Sequence, residues 1–141
     1  MLGRGNEAFD VYRRICPAYL EEKSEVHETE PYCYSQMVTG RASGNPGHAK
    51  NSWLTGTASW TFLSISQAIL GIYPDYDGLK VEPCIPDDWN EYTVTRKFRG
   101  TEYVVHVKRT GEKSLSVDSK AVEGNVVPLS DKDKVLVEVT L

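Results

Sequence analysis

The sequence predicts an α+β fold in two consecutive parts, helices first and a small antiparallel β-domain after them. Three observations predict it. Apolar residues recur at helical spacing in the first half and alternate with polar residues in the second. The change falls at Gly71–Gly78, a stretch bounded by glycines and containing Pro74.

The elements follow in order. Ala8, Val11, Tyr12 and Ile15 share one helical face, and Pro17 ends that run. A loop is expected through Glu21–Thr29, then a short second helix over Pro31–Thr39 closed by Gly40. Residues Arg41–Gly47 are rich in Gly, Ser, Asn and Pro and read as a loop. The strongest helix is expected from about Thr57 to Leu70, stopped by Gly71. Its apolar residues spread around more than one face, so burial on most sides is expected. Beyond Gly78, Leu79–Glu82, Tyr92–Thr95 and Tyr103–Lys108 alternate, as do Leu115–Val117 and Val135–Leu141. Arg99-Gly-Thr101 and Asp131-Lys-Asp133 read as turns between them. These strands suit a small antiparallel sheet packed as a sandwich against something else. A few helices and strands cannot cover so apolar a helix. The expectation is therefore a C-terminal piece of something larger, or a subunit that must find partners.

Bulk properties exclude several classes. With 141 residues, 40% hydrophobic and 26% charged, the chain has the composition of an ordered domain. A net charge of -4 and a pI near 5.4 argue against a nucleic-acid or acidic-membrane partner. No apolar run is long enough for a membrane span, and Met-Leu-Gly-Arg-Gly-Asn lacks the core of a signal peptide. Cys16, Cys33 and Cys84 have neither metal-ligand spacing nor an even count, so reduced thiols in a cytoplasmic protein are expected. No metal or other cofactor is implied.

The stretch Asn51-Ser-Trp-Leu-Thr-Gly-Thr-Ala-Ser-Trp60 carries the most chemistry. It sets Thr55, Gly56 and Thr57 at the start of the strongest helix, where backbone N–H groups lack intrahelical partners and the helix dipole is positive. A hydroxyl and a glycine there can form a pocket for an oxyanion such as phosphate.

Several motifs together carry a family resemblance. Glu30-Pro-Tyr-Cys-Tyr-Ser-Gln36, Lys50–Trp60, Gly71-Ile-Tyr-Pro-Asp-Tyr-Asp-Gly-Leu79, and Pro83–Pro86 with Trp89 follow in order. With the hairpin Arg96–Tyr103, this series resembles the C-terminal end of the inverting disaccharide phosphorylases, typified by cellobiose and chitobiose phosphorylase. The resemblance implies that residues 1–72 are the last helices of an (α/α)6 catalytic barrel and residues 73–141 a C-terminal β-sandwich-like domain. It implies cleavage of a β-linked disaccharide by inorganic phosphate with inversion, giving an α-sugar 1-phosphate. It also implies a homodimer. One carboxylic acid protonates the leaving oxygen while phosphate attacks, so no second carboxylate base is needed. Carried over residue by residue, Gln36, Thr55 and Gly56 are phosphate-binding. No catalytic residue is carried over, because the family's aspartate motif has no counterpart here. The chain by itself is thus expected to be inactive.

Simpler readings compete at each position. Without the resemblance, Thr55-Gly56-Thr57 is an ordinary helix cap and Gln36 a satisfied amide. Trp53 and Trp60 suit core packing better than sugar platforms. His27 and His48 read as solvated loop residues, and His106 as an outward strand position. Glu30 can shape the site without transferring a proton. Asp75, Asp77, Asp87 and Asp88 fit turns, and nothing near Cys33 activates it. The alternative function is a non-catalytic carbohydrate-binding or assembly module, which needs no general acid. A hydrolase on the same barrel is a further rival, separated by phosphate dependence.

Overall fold

The computed structural model describes residues 2–54 and 56–141 and has an α+β architecture. It divides into two units, Met1–Ser66 and Gln67–Leu141.

In the first unit, helix α1 spans Gly5–Ile15, with Glu7 in its first turn and Arg13 and Arg14 in its last, each charge complementing the helix dipole. The residues that follow wind into 3-10 turns at Pro17–Tyr19 and Glu21–Lys23 and a short helix α2, Ser24–His27. The expected loop at Glu21–Thr29 is therefore largely helical turns. The expected helix over Pro31–Thr39 is also corrected. Tyr32 adopts a left-handed φ of 65°, and β1 (Met37–Val38) pairs antiparallel with β2 (Ala49–Lys50). Pro31 and the left-handed Tyr32 break helical geometry, and a two-residue ladder satisfies the backbone instead.

Helix α3 runs Thr57–Leu63 and continues as a wider π-type turn over Ser64–Ile69. Ser64 and Ser66 donate their hydroxyls to the carbonyls of Trp60 and Phe62, four residues back, at 2.8 and 2.6 Å. Such back-bonding loosens the regular ladder. Burial on most sides is not found. Trp60 is 73% exposed and Phe62 67%, and Thr61 is the residue of α3 that is buried. A 66-residue unit of short elements offers too little surface to cover an apolar helix.

The second unit holds the core. A five-stranded sheet has the order β5 (Glu91–Phe98), β6 (Thr101–Lys108), β10 (Lys134–Thr140), β7 (Ser114–Val117), β8 (Lys120–Ala121). A three-stranded antiparallel sheet joins β3 (Ile72–Pro74), β4 (Gly78–Val81) and β9 (Val126–Pro128). Period-two alternation sends Tyr103, Val105 and Val107 of β6 and Val135, Val137 and Val139 of β10 inward. They pack against Ile72, Leu79, Val81 and Val127 of the smaller sheet. The second layer thus comes from the chain's own β3, β4 and β9. The all-antiparallel expectation is corrected: β10 lies between β6 and β7 and runs parallel to β6, with Val137 opposite Val105. The β5–β6 hairpin turns through Arg99 and Gly100 at φ 48° and 93°, the two-residue turn that suits strand twist.

Two glycines are required by geometry. Gly71, at φ 69°, ends the helical run where a Cβ would stand 2.3 Å from the Glu82 carbonyl. A Cβ on Gly78 would fall 1.8 Å from the Val127 carbonyl oxygen.

Candidate functional site

The β1–β2 ladder brings Gln36 and Asn51 together. Gln36 precedes β1, Asn51 follows β2, and the Gln36 N–H donates to the Lys50 carbonyl at 3.2 Å. The Asn51 side-chain amide then donates to Gln36 Oε1 at 3.0 Å. Asn51 holds φ at 57°, a left-handed conformation that asparagine tolerates, and turns the chain away from the strand.

Beyond Asn51 the chain bends through Ser52–Leu54 and is held by Glu30. The Ser52 hydroxyl donates to Glu30 Oε2 at 2.6 Å, and the Trp53 indole N–H donates to Oε1 at 2.8 Å. The Ser52 hydroxyl first, then the residue's own backbone N–H, then the Trp53 indole hold the Glu30 carboxyl below its ordinary range. Segments 30–36 and 51–53 are therefore tied at both ends, by a carboxylate clamp and by an amide pair.

Thr55 lies outside the described residues. Gly56 caps α3 with φ −81° and ψ −3°, and its carbonyl accepts the Trp60 N–H at 3.1 Å. As a glycine, the cap residue offers no side-chain hydrogen bond to this end of α3. A Cβ at Gly56 would meet Trp60 Cδ1 at 3.5 Å and Nε1 at 3.7 Å, ordinary contact distances.

Of the residues singled out in the sequence, Gln36 is exposed and tied to Asn51, and Gly56 is exposed at the start of α3. Asn51 and Ser52 were not marked out; their signal was their place in the Lys50–Trp60 motif. Trp53 and Trp60 are corrected. Each is 73% exposed, and Trp53 spends its one polar atom on Glu30, leaving its faces open. His48 is not simply solvated: it is half-buried, with Nε2 3.2 Å from Glu28 Oε2. Asp75 accepts the Tyr76 N–H at 2.6 Å, as a turn aspartate should. Cys16, Cys33 and Cys84 are free thiols.

In the second unit His106 faces outward, bonded to Thr93 through Nδ1 at 2.7 Å. With Glu138 and Ser116 it forms a polar row across β5, β6, β10 and β7. Among the described residues no helix is long and apolar enough to cross a membrane, and no three His, Cys, Asp or Glu side chains cluster as metal ligands.

Comparison with known proteins agrees with these motifs. Residues 1–71 match the catalytic domain of the glycosyl hydrolase 94 superfamily. Solabiose phosphorylase from Paenibacillus borealis is 39% identical over 90% of this chain and 17% of its own length. N,N'-diacetylchitobiose phosphorylase from Vibrio proteolyticus is 36% identical over 90% of the chain and 16% of its own length. A 3-O-beta-D-glucopyranosyl-beta-D-glucuronide phosphorylase from Paenibacillus borealis is 33% identical over 89% of the chain and 17% of its own length. The chain thus spans about a sixth of the length of these three relatives.

Proposed function

The chain belongs to the glycosyl hydrolase 94 superfamily, and from that membership we propose that the protein carrying it is a disaccharide phosphorylase. In this reading residues 1–72 complete an (α/α)6 catalytic barrel and residues 73–141 form the C-terminal β-domain. The observation that carries the proposal is the identity to three phosphorylases over about nine-tenths of the chain.

The chemistry runs as an inverting transfer. A phosphate oxygen attacks the anomeric carbon of a β-linked disaccharide, the glycosidic C–O bond breaks, and a general acid gives its proton to the departing oxygen. The products are an α-sugar 1-phosphate and the free acceptor sugar. This stretch contributes donors to phosphate: the Thr55 hydroxyl, the Gly56 backbone N–H and the Gln36 amide. The Asn51 bond to Gln36 Oε1 supports that role, because it turns the amide so that its NH2 is left as the outward donor. The general acid comes from outside these 141 residues, and the enzyme works in the cytoplasm as a dimer.

Thr55→Val in the protein that carries this stretch tests the site. Loss of one hydrogen bond to a charged ligand should raise the apparent KM for phosphate by about ten-fold or more, with a smaller effect on kcat. Unchanged phosphate dependence would remove Thr55 from the site.

A further inference from the structure

We infer that Glu30 is a positioning residue for phosphate, its carboxylate fixing the loop that leads into the Thr55-Gly56 pair. The inference rests on the phosphate reading of that pair given above.

Besides its own backbone N–H, the Glu30 carboxylate takes one donor from the loop on each oxygen, and these two donors are consecutive residues, Ser52 and Trp53, lying 22 and 23 positions further along the chain. Ser52–Leu54 belong to neither strand nor helix, so no backbone ladder fixes their path. The carboxylate supplies what the backbone does not, and the Asn51–Gln36 bond at 3.0 Å closes the other end of the same segment. A bond to a charged acceptor is shorter and about twice as strong as a neutral one, which suits a clamp in an exposed loop.

Both donors are neutral, so the clamp leaves a full negative charge near a proposed anion site. Gly56 is three residues beyond Trp53, a span of about 11 Å at most. Repulsion and positioning therefore act in opposite directions on phosphate. A glutamine at this position separates them. Its oxygen can accept from the Trp53 indole, which only donates, while its NH2 donates to the Ser52 hydroxyl. Glu30→Gln thus preserves both bonds, weakened, and removes the charge. Glu30→Ala removes everything.

The experiment measures initial rates against phosphate and against disaccharide for both variants in the protein that carries this stretch, with Thr55→Val alongside. Glu30→Ala should raise the phosphate KM about ten-fold while kcat and the disaccharide KM change less than about three-fold. Glu30→Gln should recover most of that loss, to within about three-fold of the parent. Where Glu30→Ala does not fold, the Glu30→Gln kinetics and the Trp53 indole N–H resonance, expected upfield of the parent's, decide the matter. A phosphate KM below the parent's in Glu30→Gln overturns the inference, because repulsion then outweighs positioning. Equal loss of kcat in both variants overturns it too, since that is the mark of proton transfer. Normal phosphate KM in both, with Thr55→Val impaired, removes Glu30 and leaves the phosphate site standing. Normal phosphate KM in all three overturns the phosphate reading itself.

Discussion

Gly56→Ala separates ligand binding from folding. The position has φ −81° and ψ −3°, a negative φ that demands no glycine. The new methyl would meet Trp60 at 3.5 and 3.7 Å, so nothing has to move. Replacing glycine at a helix start costs about 0.5–1 kcal/mol in capping preference, and the stiffer unfolded chain returns about 0.4–1 kcal/mol. The two offset, leaving a net change within about 0.5 kcal/mol and a Tm shift within about 2 °C. Phosphate should respond differently, because a methyl beside the donating N–H blocks its approach. Loss of one charge-assisted hydrogen bond, about 1.5–3 kcal/mol, corresponds to a phosphate KM raised about ten- to hundred-fold. The assay pairs a thermal melt with initial rates against phosphate at saturating disaccharide. An unshifted melt with phosphate KM within about two-fold of the parent would refute the ligand role. A melt lowered by more than about 5 °C would refute the packing argument instead.

Other expectations follow from the same geometry. Gly78→Ala places a methyl 1.8 Å from the Val127 carbonyl oxygen and forces β4 from β9. It should cost on the order of 3 kcal/mol and lower Tm by more than about 8 °C, and an unchanged melt would show that the ladder yields easily. Acid should weaken the β-unit through Asp118, whose carboxyl is held below its usual range by Lys132 first and the Leu136 N–H second. A depressed carboxylate stabilises above its ordinary pKa, and that stabilisation is lost as pH falls through the folded value. Urea midpoints from about pH 5 down to about pH 2 should therefore drop further for the parent than for Asp118→Asn, and parallel curves would count against the pairing. Trp53, Leu54, Trp60 and Phe62 are largely exposed, so the 141-residue chain should bind a hydrophobic dye or self-associate. A monomeric, dye-silent chain would contradict this.

Much of the fold was legible because burial writes itself into period. Val135, Val137 and Val139 alternate with Lys134, Leu136 and Glu138, so β10 could be read directly. Its neighbour could not, since alternation records which face is buried and says nothing of strand direction. That is why the parallel β6–β10 pairing was missed. The helix expected over Pro31–Thr39 failed for a related reason: Met37 and Val38 find their partners in Ala49 and Lys50, beyond any local window. At the site, motif likeness pointed to Gln36 and Gly56, whereas Asn51, Ser52 and the clamp role of Glu30 depend on contacts spanning 15 to 23 residues. Spacing rules do not reach that far. The apolar character of α3 was clear from sequence, but exposed Trp60 and Phe62 show that character alone does not supply a covering surface.

The most direct measurement is NMR of a β-linked disaccharide incubated with the protein that carries this stretch, with and without inorganic phosphate. The prediction is turnover that requires phosphate and yields an α-sugar 1-phosphate as the first product. Release of free sugars without phosphate, or a β-configured phosphate ester, would contradict it.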